Sequence, residues 1–304
     1  MDLVKEIARL KEEKKAVILA HFYVRPEVQD IADYLGDSLG LAQMAAKTTA
    51  PVIVCCGVHF MAETVAILCP QKKVLIPDPG AGCSLAESIG PEDILHWKAK
   101  HPDGVVVTYV NTSAAVKAYS DYCCTSANAL RVVEHIVPEK KILFVPDKNL
   151  GGYIRLRTGR DMEIWQGDCC VHRFFDRPSI ISKKREYPGA DILIHPESSC
   201  STDPEIMAMD NVFFYSTSGM INHVLQSGKK EFVIVTEPGV IYRMKKENPH
   251  KTFIPVSDTI VCSDMKRVTL EKVLHTLQME YSPVVIDKTL QEQALLPIRR
   301  MLEV

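Results

Sequence analysis

Six polar residues form three i, i+2 pairs: His21 with Tyr23, Tyr109 with Asn111, and His195 with Glu197. Each pair closes a short apolar run, Ala16 to Ala20, Gly104 to Thr108 and Asp191 to Ile194. Runs of this length and β-branched content read as strands. On a strand the i, i+2 spacing turns both side chains to one face. Imidazole, phenol and carboxylate are the groups of general acid–base chemistry. A lone histidine at a strand end is more often structural, but three matched pairs point to a shared site, which His59 and Lys148 could extend.

Three cysteines, Cys83, Cys169 and Cys262, recur at nearly equal spacing just beyond a later strand of each repeat. A [4Fe–4S] cluster usually takes four thiolates. Three would leave one iron able to act as a Lewis acid on a substrate oxygen or nitrogen. Cys170 competes with its neighbour for the ligand role. Cys169 and His172 also read as half of a zinc site, which Cys83 and Cys262 would complete as a Cys₃His set. The other cysteines have plainer readings. Cys55, Cys56, Cys69, Cys123 and Cys124 lie in apolar context as core residues, and Cys200 sits in a serine-rich loop.

Polar turns recur in step: Gly36-Asp37-Ser38, Thr125-Ser126-Ala127-Asn128 and Ser216-Thr217-Ser218-Gly219. Each opens an expected helix, and a helix N-terminus offers free N–H groups and a positive dipole end to a carboxylate or phosphate. Ser38, Ser126, Ser216 and Thr217 would place hydroxyls there. Ordinary N-capping is the alternative reading.

Positioning these residues requires a repeated scaffold. Second strands are expected over Val52 to Cys56, Ile142 to Val145 and Phe232 to Val235. Third strands are expected over Lys73 to Ile76, Met162 to Trp165 and Phe253 to Val256. Between the first strand and the first polar turn, Val28, Ile31, Ala32 and Leu35 have helical spacing. Trp97 and Trp165 read as packing residues. Alternation of strand and helix implies an α/β fold of three repeated three-layer αβα sandwich units with parallel sheets. Ligands of such sheets bind beyond the strands' carboxyl ends, so pseudo-threefold symmetry would bring all three ends to one central site. Three independent domains with unrelated loops are the alternative. The expected units are 1–84, 85–171 and 172–265. The tail, 266–304, should begin with a helix and pack back on the core against the first unit.

The 304 residues are 46% hydrophobic and 24% charged, with formal net charge −2. This is ordinary globular composition, without the basic surface expected of a nucleic-acid binder. No apolar run approaches the roughly 18 residues of a membrane span. The N-terminal stretch reads as an amphipathic helix and a strand, without a signal-peptide cleavage site. A cytoplasmic location is therefore expected, with ten cysteines kept reduced.

Several phrases resemble the quinolinate synthase family: LAHFYVRPEVQDIADYLGDS at 19–38, GVHFMAETVAILCP at 57–70, YVNTSAAVKAYSDYCCTSANA at 109–129, PDKNLG at 146–151, HPE at 195–197, STSGM at 216–220 and Cys262-Ser-Asp-Met-Lys266. The resemblance spans nearly the whole chain. It implies a triplicated α/β fold with one [4Fe–4S] cluster on three cysteines. It also implies condensation of iminoaspartate with dihydroxyacetone phosphate to quinolinate, an NAD precursor, with no nicotinamide or flavin.

Carried over by position, the ligands are Cys83, Cys169 and Cys262. Cys169 is preferred to Cys170 because Gly167, Cys169 and His172 match the family's Gly-x-Cys-x-x-His. The implied substrate groups are His21, Tyr23, Ser38, Tyr109, Asn111, Ser126, His195, Glu197, Ser216 and Thr217, with Glu197, Tyr109 and His195 moving protons and His21 and Tyr23 beside them. An enzyme supplying iminoaspartate is a further partner the resemblance leaves open.

The chain departs from the family at Phe22, where asparagine is usual, and in Ser-Ser-Cys-Ser-Thr-Asp-Pro after Glu197. Phe22 should point away from the site. Two other classes remain open: a non-enzymatic iron–sulfur redox sensor or electron carrier, and a zinc-stabilised small-molecule binding protein. A sensor would need no acid–base cluster and would favour full cysteine ligation.

Overall fold

The structure, a computed structural model, describes residues 2–304. The first unit contains β1 (Ala16–His21), β2 (Tyr34–Gly36), β3 (Val52–Cys56) and β4 (Lys73–Leu75). The second contains β5 (Val105–Tyr109), β6 (Tyr122–Cys124), β7 (Ile142–Val145) and β8 (Met162–Ile164). The third contains β9 (Asp191–Ile194), β10 (Val212–Phe214), β11 (Glu231–Val235) and β12 (Thr252–Pro255). The three sheets have the same order: β2-β1-β3-β4, β6-β5-β7-β8 and β10-β9-β11-β12. All their pairings are parallel. Helices cover the sheets, giving the three-unit αβα architecture expected from the repeats.

Central strands covered on both faces read as continuous apolar runs rather than alternating ones. Every residue of β3, β7 and β9 is buried accordingly. This places Cys55 and Cys56 in the core, as Cys123 and Cys124 are in β6. Polar residues begin where each first strand ends, because coverage ends there.

The edge strands β2, β6 and β10 were missed by the sequence reading, which ran a helical pattern from Val28 to Leu35. The helix spans only Pro26–Ile31, and Leu35 lies in β2, paired with Ala20. A three-residue edge strand is too short to show alternation, and Leu35 happens to fall on the helical period.

The tail forms helices Leu270–Met279 and Lys288–Glu303. The first lies against helix Leu3–Lys14 and β3 of the first unit. The second crosses to helix Ala114–Ala118 and β6 of the second unit, while also touching helix His59–Leu68 of the first. Asn128 Nδ2 donates to the Met301 carbonyl at 2.8 Å, and Arg300 Nη1 donates to the Asp121 carbonyl at 2.7 Å. The tail therefore bridges two units. No described helix is long and apolar enough to cross a membrane.

Candidate active site

The carboxyl ends of β1, β5 and β9 open on one shared cavity. His21, Tyr23, Ser38, Tyr109, Asn111, Ser126, His195, Glu197 and Thr217 line it, with Cys83, Cys169 and Cys262. Ser216 does not. It is the N-cap of helix Thr217–Gln226, and its hydroxyl accepts from Gly219 N–H at 3.2 Å. Capping thus explains Ser216, while Thr217 faces the cavity. His59 lies outside the cavity lining, half exposed and 3.8 Å from Glu63, and Lys148 pairs with Asp168 at 2.9 Å.

The two strand-end histidines are held in the same way. His21 Nδ1 accepts the backbone N–H of Tyr23 at 3.2 Å, and His195 Nδ1 accepts that of Glu197 at 3.4 Å. An accepting Nδ1 leaves the proton of a neutral imidazole on Nε2. Burial pushes His21 down to about 4 and His195 down to about 3, so both rings are neutral near pH 7. They serve as fixed Nε2–H donors, and that of His195 faces Ser126 Oγ at 3.2 Å. The 3.5 Å approach of His195 Nδ1 to Glu197 Oε2 joins two acceptors and is proximity rather than an ion pair.

Around Glu197 the contacts form a chain. His172 Nδ1 lies 2.7 Å from Glu197 Oε2. His172 Nε2 lies 2.8 Å from Thr236 Oγ1, which lies 2.6 Å from the Tyr23 hydroxyl. Thr217 Oγ1 is 2.8 Å from the same hydroxyl. A carboxylate only accepts, so Nδ1 carries the proton. Nε2 then accepts from Thr236, which can accept from Tyr23. Burial works against the charged form of Glu197, yet the hydrogen bonds from His172 and the Tyr109 hydroxyl hold its carboxyl below the usual carboxylate range. Burial pushes Tyr23 and Tyr109 well above the usual phenol range. Asn111 Nδ2 donates to Glu197 Oε1 at 3.3 Å, while its own buried Oδ1 has no partner.

Helix N-termini also reach the site, but Asp37 takes up part of their donor capacity. Its side chain accepts from Gly40 N–H at 3.0 Å and from Ser218 N–H at 3.4 Å, joining helices of the first and third units. Among the described residues no lysine or arginine lines the cavity. Bound anions there depend on hydroxyls, imidazole N–H groups, helix ends and any metal.

The cysteines stand on one repeated turn. Each precedes a short 3₁₀ helix: Ala86–Ser88, His172–Phe174 or Met265–Arg267. The N–H groups of Glu87, Arg173 and Lys266 bond the carbonyls of Cys83, Cys169 and Cys262 at 3.0, 3.0 and 3.1 Å. Backbone N–H groups of Ala86, His172 and Met265 are directed at the three thiols. Burial raises Cys83 to about 12 and Cys262 to about 11, and these N–H groups offset part of that cost to the thiolate, the ligand form. Cys170 shares a hydrogen bond with Cys169, which lowers Cys170 to about 6 and raises Cys169. The charge preference and the turn thus disagree, and the turn carries more weight because it recurs in all three units. Gly167 lets this loop approach β7: a Cβ there would lie 2.6 Å from the Pro146 carbonyl and 2.5 Å from Ser88 Oγ.

Cys169, His172 and Glu197 offer ligand atoms all within 4.8 Å of one another, a set able to hold a metal ion. Cys83 and Cys262 do not join it among the described residues. One tetrahedral ion with Zn–S bonds of about 2.3 Å would bring its sulfurs to about 3.8 Å apart, so a preformed Cys₃His zinc site is absent.

Sequence reasoning gave Asp37 and Thr236 no role in the site and saw His172 only as a zinc ligand or as part of the Gly-x-Cys-x-x-His pattern. Thr236 follows β11 directly, and that strand-end position was the available signal. The unusual loop after Glu197 is packed in: Asn149 Nδ2 donates to the Glu197 carbonyl at 2.9 Å, and Ser201 Oγ to the Asn149 carbonyl at 3.3 Å. Phe22 is buried away from the cavity lining.

A sequence model of the family described as "Quinolinate synthetase A protein" matches residues 5–303. A protein of Pyrobaculum aerophilum named "Quinolinate synthase" is 51% identical over 304 residues, covering 99% of each chain. One of the same name from Chloroherpeton thalassium is 48% identical, covering 100% of this chain and 94% of its own. One from Thermus thermophilus is 52% identical over 276 residues, covering 91% and 89%.

Proposed function

Since the chain belongs to the quinolinate synthetase A family, enzymes of the condensation step in NAD biosynthesis, we propose that it joins iminoaspartate to dihydroxyacetone phosphate on a [4Fe–4S] cluster. The observation that carries this reading is the single cavity lined by three cysteines on matching turns and by strand-end residues of all three units. The donor set fits the cluster. Cys83, Cys169 and Cys262 would hold it, and their failure to gather around one ion suits a larger group. When bound, such a cluster supplies an iron without a protein ligand as a Lewis acid.

The protein's own groups divide the remaining work. His21 and His195 donate from Nε2 to substrate oxygens, and Ser38, Ser126 and Thr217 add hydroxyls. The unpartnered Asn111 Oδ1 suits the N–H of an imine or enamine. Tyr23 can release its proton through Thr236 to His172 and recover it by the same route. Glu197 stays ionised and stabilises the protonated His172 ring, as the carboxylate of a hydrolase triad supports its histidine. Tyr109 lies beside Glu197 for a second transfer. Carbon–carbon bond formation, loss of phosphate, imine closure and loss of water need such proton transfers but no external oxidant.

The unit boundaries 1–84, 85–171 and 172–265 belong to the same reading, as does a cytoplasmic location, which suits ten free cysteines.

Anaerobic purification tests the proposal. A brown protein should form quinolinate from the two substrates and lose its cluster in Cys83→Ser, Cys169→Ser and Cys262→Ser, but keep it in Cys170→Ser. A colourless zinc protein, or a cluster-replete one that forms no quinolinate, would refute it.

A further inference from the structure

Lys117 is among the largest wholly buried side chains of the described residues, at 0% exposure. Lysines are almost never fully buried unless paired, and an uncompensated buried ammonium is costly. Yet no carboxylate lies within ion-pair distance of Lys117 Nζ among the described residues. Nζ donates one hydrogen bond, to the Thr112 carbonyl, and stands 5.6 Å from the centroid of the Phe60 ring. A carboxylate in electrostatic reach is that of Glu63, which already accepts the Ala114 N–H at 3.0 Å.

The position of this charge is informative. Lys117 lies on the short helix Ala114–Ala118, behind the cavity wall. Phe60 and Cys83 line the cavity, whereas Lys117 does not, so it cannot touch a substrate there. Its other electrostatic neighbours are the thiols of Cys123, the stronger, and Cys83; Cys83 shares a surface pocket with Phe60, Glu63 and Ser113, the residues around the start of the lysine's helix. Cys123 is a core residue of β6, and Cys83 is one of the three cysteines on the repeated turn.

We infer that Lys117 is a positioning residue whose charge balances the thiolate of Cys83 and the net-anionic cluster it would help to hold. The inference rests on the cluster reading above and adds a residue to it. A cubane core with three thiolates is anionic, and the cavity wall supplies no lysine or arginine of its own. One buried cation behind Cys83 meets that need without entering the substrate space. Net charge and nearby dipoles set the reduction potential of such clusters, so removing the cation should make the bound cluster harder to reduce.

The test compares wild type with Lys117→Gln, which keeps a donor for the Thr112 carbonyl but no charge, and with Lys117→Met, which keeps only the shape. Both are reconstituted anaerobically, assayed for iron and sulfide, and titrated with EPR detection. The expected result is a shift to more negative midpoint potential in both variants. The apo form of Lys117→Met should melt no lower than wild-type apo protein, because an apolar replacement of a poorly compensated buried charge is often neutral or stabilising. A wild-type potential in either cluster-replete variant would overturn the inference and leave the function untouched. A lowered apo melting temperature in Lys117→Met would also overturn it, assigning the lysine to support of the Thr112 loop. A wild-type chain that takes up no cluster would refute the functional reading and this inference together.

Discussion

The carboxyl ends of β1 and β9 are built alike and do different work. In each, a histidine accepts the backbone N–H two residues on, at 3.2 Å in the first and 3.4 Å in the third. In each, burial leaves the ring neutral with its proton on Nε2. The residue at i+2 differs. Tyr23 is a phenol pushed well above its usual range by burial and enclosed by two threonine hydroxyls. Glu197 is a carboxylate that remains ionised against the cost of burial because His172 and Tyr109 hydrogen-bond to it. Repetition therefore fixes the backbone and the histidine donors, while divergence at one position leaves a hydrogen-bonded phenol at one end and a fixed anion at the other.

The comparison can be broken most severely at Glu197. Glu197→Gln keeps the shape and leaves His172 without an anion. Quinolinate formation by cluster-replete protein should fall by about two orders of magnitude, with the circular dichroism spectrum unchanged. Near-normal turnover would remove Glu197 from proton transfer.

The shared histidines predict a pH effect of the next size. A ring held neutral in the fold has a depressed folded pKa, so it contributes stability above its unfolded value of about 6.5. That contribution is lost as pH falls toward about 4 for His21 and about 3 for His195. Between pH 7 and pH 5 each ring should cost the apo chain about 2 kcal/mol, a factor of about 30 in its folding constant. Denaturant unfolding at the two pH values checks this. A flat profile, or one unchanged in His195→Gln, would show that the ring is protonated in the fold.

A smaller loss is expected from Tyr23→Phe. It removes the far end of the chain but leaves Thr236 in contact with His172, so turnover should fall by about tenfold. If it fell as far as in Glu197→Gln, the two ends would be equal partners in proton transfer. The mildest change is His21→Gln, whose amide retains an N–H donor. It should raise KM about threefold, consistent with a single imperfect hydrogen bond, and leave kcat nearly unchanged. A collapse of kcat would mean that His21 transfers protons rather than donating a fixed hydrogen bond.

Much of this arrangement was legible in the residues themselves. Hydrophobic runs ending in i, i+2 polar pairs located the first strand of each unit and the face of its end residues, because alternation along a strand is a local property. The recurrence of Cys83, Cys169 and Cys262 in phase with those strands marked them as candidates, with Cys169 preferred to Cys170 through the family resemblance. The short edge strands were not legible, since three residues such as Tyr122–Cys124 carry no readable period.

Only the tertiary structure decided which residues meet. Tyr23 touches Thr217 and Thr236, and His172 touches both Thr236 and Glu197, across separations that no periodicity encodes. The choice between Ser216 and Thr217 was likewise settled by how one helix enters the cavity: the first hydroxyl caps the helix and the second faces inward. In sequence, Lys117 is an unremarkable lysine in an alanine-rich turn of helix, and its burial exists only once helix His59–Leu68 of the first unit and the tail helix Lys288–Glu303 pack against its own helix. The physical reason is the same each time: local spacing sets the direction of a side chain relative to its own strand or helix, whereas its partners, its solvent and therefore its protonation depend on how separate units pack.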